Sequence, residues 1–306
     1  MSQIAGGSQG SLRLLAPAKV NLCLHVTSRR EDGYHTLDSL VVFAGVGDAL
    51  TATPADDISL DISGPQADVL TADAAENLII RAARRFQDLT GTDAGVHFDL
   101  VKNLPVASGI GGGSSDAAAG IRLLEKLWSA HPPSAQLADL LVGLGADVPM
   151  CHLAQSAFAS GIGEELRPLT RLPKAWIVLA NPLIEVPTGA IFKGLKGFAD
   201  PVVPDRLDGL QSFDDLIAFL KQCHNSLEAP AIEVEPVIAE VLREMSGLPG
   251  CALTRMSGSG ATCFGLFSNQ GKAAAAASAL RANFPHWWVE QGPVLSDQPA
   301  IKTLAS

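Results

Sequence analysis

Positive charge is scarce in this 306-residue chain: 22 lysines and arginines stand against 32 aspartates and glutamates, a formal net charge of −10. A general nucleic-acid binder needs a basic face, so that class is excluded. A small anionic substrate is not excluded, because a few local cations can outweigh the mean. Aromatic residues make up only 5 % and there is a single tyrosine, so the interior must be built mainly from Leu, Val, Ile and Ala. No uninterrupted apolar run reaches the ~18 residues of a membrane-spanning helix. Residues 1–10 hold neither the basic nor the apolar segment of a secretory signal, and a cytoplasmic protein without membrane contact is expected. The five cysteines, Cys23, Cys151, Cys223, Cys251 and Cys263, form no CxxC pair. Their odd number and wide spacing point to reduced packing thiols, and Cys151-His152 and Cys223-His224 lack the further ligands of a zinc site.

Hydrophobic residues reach 47 % and charged ones 18 %, which excludes a disordered chain. The length suggests two domains. In the first part, residues 12–15, 20–27, 37–43, 49–53, 58–62 and 96–101 read as strands, and 77–89 has helical spacing. Helices are expected over 115–128 and 135–144, the second stopped by Gly145. A short buried strand over 176–179 leads into Asn181-Pro182. The boundary is placed between Pro168 and Pro182, dividing the chain into 1–170 and 171–306. The second part reads as helices over 213–222, 235–246 and 272–282, with strands over 252–256 and 262–267. The fold class is α+β.

The informative stretch runs Pro105, Val106, Ala107, Ser108, Gly109, Ile110, Gly111, Gly112, Gly113, Ser114 and Ser115. A strand precedes it and a helix follows it, a frame that a flexible linker would lack. Glycines permit positive φ and present no Cβ, so a phosphate chain can approach the backbone. The first amides of the following helix lack internal partners, and its dipole favours negative charge there. The spacing is neither that of a Walker loop nor that of a dinucleotide-binding βαβ unit.

These residues resemble the central motif of the galactokinase, homoserine kinase, mevalonate kinase and phosphomevalonate kinase superfamily. That motif is a proline, three residues, Gly-Leu-Gly, one residue, then Gly-Ser-Ser. Two further segments agree with it in the same order: Ala16-Pro-Ala-Lys-Val-Asn-Leu22 and Met256-Ser-Gly-Ser-Gly-Ala-Thr262. Within the superfamily the chain is similar to the 4-diphosphocytidyl-2-C-methyl-D-erythritol kinase family. The residues that carry this likeness are Arg30-Glu-Asp-Gly-Tyr-His-Thr36, the glycines 111–113, Gly145-Ala-Asp-Val-Pro149 and Thr188-Gly-Ala-Ile-Phe192. Asp116 stands where that family also uses Asn, and it is expected to cap the helix.

The resemblance implies a two-domain fold with the active site in the cleft between the domains. The segment 105–115 would hold ATP, making 1–170 the ATP-binding domain. Lys19 and Asp147 would be catalytic: Asp147 takes the proton of the attacking hydroxyl, and Lys19 neutralises developing charge. Substrate would meet Asn21, Tyr34, His35, Asp147, Thr188 and Phe192, with the cytosine ring held by Tyr34, His35 and Phe192. Phosphoryl transfer implies magnesium, for which Ser115 is a candidate ligand. The implied reaction phosphorylates the 2-hydroxyl of the methylerythritol unit on the way to isoprenoid precursors. Another kinase of the superfamily and a ligand-binding sensor without turnover stay open as alternatives, as do a monomer and a homodimer.

Overall fold

The computed structural model describes residues 10–70, 77–201 and 210–304. The reading of residues 1–10 as free of a leader falls almost wholly outside that range. The chain opens with two long strands, β1 (Leu12–Arg29) and β2 (His35–Ala55). Then come β3 (Ile58–Ser63), helix α1 (Leu78–Thr90), β4 (Gly95–Val101), α2 (Gly112–Leu127), α3 (Ser134–Leu144) and α4 (Val148–Leu153). Strands β5 (Ala157–Ser160) and β6 (Glu165–Pro168) complete this part. The rest comprises β7 (Trp176–Asn181), α5 (Thr188–Lys193), α6 (Phe213–Leu220), α7 (Glu228–Val234), α8 (Val237–Ser246), β8 (Leu253–Met256) and β9 (Cys263–Phe267). It closes with α9 (Gln270–Asn283), β10 (Trp288–Pro293) and β11 (Lys302–Thr303).

Two sheets organise these elements. The first runs β11-β1-β2-β4-β3, with β5 paired to β2 and β6 to β5; the second runs β10-β7-β9-β8. The chain passes from one to the other between β6 and β7, and its last strand returns to pair with β1. One core lies between the first sheet and α1–α4, where Leu14, Phe43, Phe86, Phe98 and Leu124 are buried. A second lies between the sheets, with Val20, Leu22, Val42, Ile177 and Phe264. A third joins the second sheet to α8 and α9 through Val241, Met245, Ala277 and Leu280.

The strands expected as short pieces are continuous, and the reason lies at Pro17. Pro17 pairs with Gly47 across β1 and β2. A Cβ on Gly47 would sit 2.2 Å from the Ala16 carbonyl oxygen, so only glycine allows the backbones to approach there. Pro17 and Gly47 fall in the gaps between the expected pieces, but here they are two halves of one tight pairing. The register then slips between Pro17 and Lys19. Leu12, Leu14 and Ala16 face the helical layer before the slip, whereas Ala18, Val20 and Leu22 face the second sheet after it. In a regular strand, residues of one parity stay on one face. The bulge exchanges the faces, so Lys19 and Asn21 lie on the side where α2 begins.

Candidate active site

Around this bulge three distant segments converge. The Lys19 amide donates to the Ile110 carbonyl at 2.9 Å, so the bulged strand bonds the glycine loop instead of its sheet neighbour. The Asn21 amide donates to Ser257 Oγ at 3.1 Å. Ser257 Oγ in turn donates to the Gly109 carbonyl at 3.0 Å. Glycine is required where the loop meets the 257–260 turn: Gly109 has φ 74°, and its Cβ would come within 2.6 Å of the Ser257 carbonyl oxygen.

The loop itself differs from the sequence reading in three ways. Of its four glycines only Gly109 and Gly111 have positive φ, while Gly112 and Gly113 already form the first turn of α2. A Cβ on Gly113 would meet nothing within 4 Å, so this glycine is the one that borders open space. Ser115 is buried and its hydroxyl donates to the Pro17 carbonyl at 2.8 Å, which ties α2 to β1 and leaves the side chain outside the set open to the cleft. Asp116 does not cap the helix. The N-cap is Gly111, with no side-chain cap bond, and Asp116 points into the protein.

Lys19 Nζ and Asp147 Oδ1 are 2.9 Å apart. Asp147 is at the N-cap of α4 but makes no cap hydrogen bond, so its carboxylate is given over to the lysine. The Lys19 side chain is 9 % exposed and that of Asp147 45 %. The pair therefore sits at a boundary, with the ammonium enclosed and the carboxylate facing out. Cys151, one turn further along α4, is buried, and burial pushes its thiol up, with Asp147 adding to the effect. Asn21 Nδ2 donates to Ser39 Oγ at 2.8 Å, while its Oδ1 is buried without a partner.

A cavity of about 730 Å³ opens beside Ala146, the residue before Asp147, and Tyr34, His35 and Phe192 line it. The His35 and Phe192 rings stack with centroids 4.9 Å apart and an interplanar angle of 27°. Burial lowers the His35 pKa and the neighbouring Arg29 lowers it further, so the ring is neutral and keeps an acceptor nitrogen at pH 7. Thr188 is not part of this wall; it is exposed and hydrogen-bonds Ser259 Oγ at 3.0 Å. Lining residues that escaped the sequence reading include Arg29, Lys193 and Phe198, the last with its ring 6.5 Å from that of His35. The repeated Lys and Phe around 192–198 is the signal that could have found two of them.

Beneath the start of α2 lies a second group that no motif announced. Lys102 Nζ is 2.5 Å from Asp48 Oδ2 and 2.6 Å from Asp116 Oδ2, and all three side chains are buried. Burial lifts the Asp116 carboxyl to about 8, with Lys102 opposing and Asp48 adding to the rise. Burial works against the Lys102 ammonium too, but the two carboxylates together outweigh it and hold its pKa above the ordinary value.

As for a cation, among the described residues the one cluster of three His, Cys, Asp or Glu side chains with converging ligand atoms is Asp61, His97 and Asp99, on β3 and β4. None of its members belongs to the loop or to the Lys19–Asp147 pair. Among the described residues no such cluster includes Asp147, and a divalent ion at that pair would draw most of its oxygens from elsewhere.

The chain matches GHMP kinases N terminal domain over residues 77–158 and GHMP kinases C terminal over residues 207–286. It is 51 % identical to a 4-diphosphocytidyl-2-C-methyl-D-erythritol kinase of Cereibacter sphaeroides, over 90 % of this chain and 96 % of that protein. It is 45 % identical to the one of Paramagnetospirillum magneticum, over 94 % and 99 %. A crystal structure of 4-(cytidine 5'-diphospho)-2C-methyl-D-erythritol kinase superposes with a TM-score of 0.76 at 36 % identity, covering 92 % of this chain and 98 % of that one. A homoserine kinase from Cytophaga hutchinsonii shares the fold at 17 % identity, with a TM-score of 0.70 over 99 % and 100 % of the two chains. With motifs, fold and relatives in agreement, the chain belongs to the 4-diphosphocytidyl-2-C-methyl-D-erythritol kinase family of the GHMP kinases.

Proposed function

We propose that this protein transfers the γ-phosphoryl group of ATP to the 2-hydroxyl of 4-diphosphocytidyl-2-C-methyl-D-erythritol. The observation that carries the reading is the position of the Lys19–Asp147 pair. It lies between the glycine loop, which the Lys19 amide bonds, and the aromatic cavity, which Ala146 borders. A donor on one side and an acceptor on the other would meet there.

In this reading the triphosphate lies against Gly113 and Ser114, where free helix amides and the helix dipole favour anions. The cytosine stacks in the cavity of Tyr34, His35 and Phe192. The base–aromatic contact is sequence-tolerant in general, so selectivity for cytosine falls to the neutral His35 ring. The substrate hydroxyl lies at Asp147, whose carboxylate takes the proton as the oxygen attacks phosphorus. The bond to the β-phosphate oxygen breaks and ADP leaves. Lys19 holds Asp147 in place and offers positive charge to the phosphoryl oxygens. The partnerless Oδ1 of Asn21 suits a substrate hydroxyl as donor. Magnesium would come bound to the ATP phosphates and water. Ser115 is a weaker candidate ligand than the sequence suggests, because its hydroxyl serves Pro17.

An ATP-consumption assay with the cytidylylated substrate, homoserine and mevalonate side by side tests the proposal. Turnover confined to the first is expected. Turnover with either of the others alone would overturn it.

A further inference from the structure

The buried group under the loop has no part in the reaction just described, yet its bonds run to both ends of the phosphate loop. At the entry, Asp48 Oδ1 accepts the amides of Asn103 and Leu104 at 2.5 and 2.8 Å. Asn103 Nδ2 adds a bond to the Gly47 carbonyl at 3.0 Å. At the exit, Asp116 sits near the start of α2. Lys102 Nζ joins the two carboxylates. A Cβ on Gly112 would lie 3.2 Å from that Nζ, so the lysine head touches the underside of the first helical turn. Lys19 occupies the neighbouring position, since a Cβ on Gly111 would lie 3.3 Å from its Cβ and Cε.

Stability alone does not explain such a group. A buried ion pair is commonly no better than apolar side chains of the same volume, because desolvation consumes the Coulomb gain. What it supplies here is geometry: it ties β2, the end of β4 and α2 together at one point. We propose that Asp48, Lys102 and Asp116 form a buried clamp that holds both ends of the loop 103–112 in register, and that they are positioning residues for the polyphosphate of the nucleotide. This rests on the ATP reading of the loop. The clamp accounts for a loop rich in glycine that is nevertheless rigid: the glycines open space for the ligand, and the clamp removes the freedom they would otherwise bring.

The test compares Lys102→Met, Asp116→Ala and Asp116→Asn with the parent. Binding of a non-hydrolysable ATP analogue is measured by calorimetry, and KM for each substrate by steady-state kinetics. Lys102→Met and Asp116→Ala are expected to weaken analogue binding and raise KM for ATP by roughly 10- to 100-fold, as loss of supporting contacts does around other bound groups. KM for the cytidylylated substrate should stay near the parent value. Asp116→Asn keeps an oxygen to accept from Lys102 and should restore ATP binding to within about threefold. Hydrogen exchange at the Asn103 and Leu104 amides should quicken in Lys102→Met and Asp116→Ala only. Unchanged affinity for the analogue in both would overturn the clamp. So would equal losses for both substrates in step with a lowered melting temperature, the signature of a merely structural group. A parent protein that fails to bind the analogue at all would instead sink the ATP reading, which separates the two failures.

Discussion

Replacing Asp147 with Asn tests the chemistry most sharply, because the geometry lets the effects be separated. Asp147 Oδ1 accepts from Lys19 Nζ at 2.9 Å, and an amide oxygen can do the same. The carboxylate is 45 % exposed, so the ion pair is partly screened by water and contributes little to stability, about 0–1 kcal/mol for pairs of this kind. The melting temperature should therefore hardly move. What Asp147→Asn removes is the base. General bases supply about 10²–10⁴-fold, and a loose phosphoryl-transfer transition state pulls the expectation toward the lower end. We expect kcat to fall about 100-fold or more, with KM for ATP unchanged, since in the proposed reaction the triphosphate meets the loop and not Asp147. Steady-state ADP release at saturating concentrations of both substrates, with a melting curve as control, gives all three quantities. A kcat within about threefold of the parent, well below the general-base range, would refute the role of Asp147.

The double change Tyr34→Ala and Phe192→Ala should raise KM for the cytidylylated substrate roughly 10- to 1,000-fold, following ~1–3 kcal/mol per base stack with imperfect additivity, and leave KM for ATP alone; equal losses for both substrates with a large melting shift would mean plain packing. Gly113→Val should weaken ATP-analogue binding in a protein that melts normally, whereas Gly112→Val should lower the melting temperature, because its side chain meets Lys102 Nζ; the reverse order would contradict the loop geometry. Asp116 titrates at about 8 in the folded chain, well above the usual ~3.9, so its stabilising proton is fully held at low pH and lost as pH rises through about 8. The melting temperature should accordingly fall between pH 5 and pH 9 less steeply in Asp116→Asn than in the parent, and parallel curves would count against the buried titration.

Lys19, Asp147 and the glycine loop could be singled out as site candidates because they sit in contiguous motifs whose chemistry is local. Lys19 is a charge in an apolar strand, and the run 105–115 is dense in glycine between a strand and a helix. What escaped notice depends on pairing at a distance. Asp48 and Lys102 belong to no motif, and nothing in the sequence says that 54 positions of separation close to 2.5 Å. Asp116 reads as a cap because it opens a helix, but the helix starts earlier, at Gly112, and the side chain turns inward. Pro17 and Gly47 lie between the expected strand pieces, although they pair with each other and the register slips directly after Pro17, at Lys19. Strands β5, β6, β10 and β11 and helices α4, α5 and α7 were not anticipated; β5 and β6 are four residues each, too short for periodicity to register.

In the proposed reaction one phosphoryl group passes from ATP to a hydroxyl of the cytidylylated substrate. Phosphorus NMR of the reaction mixture tests it directly. The prediction is one new phosphomonoester signal for each ADP formed, with the two diphosphate signals of the substrate retained. ADP accompanied by free inorganic phosphate and no phosphomonoester, or loss of the substrate's diphosphate signals, would contradict it.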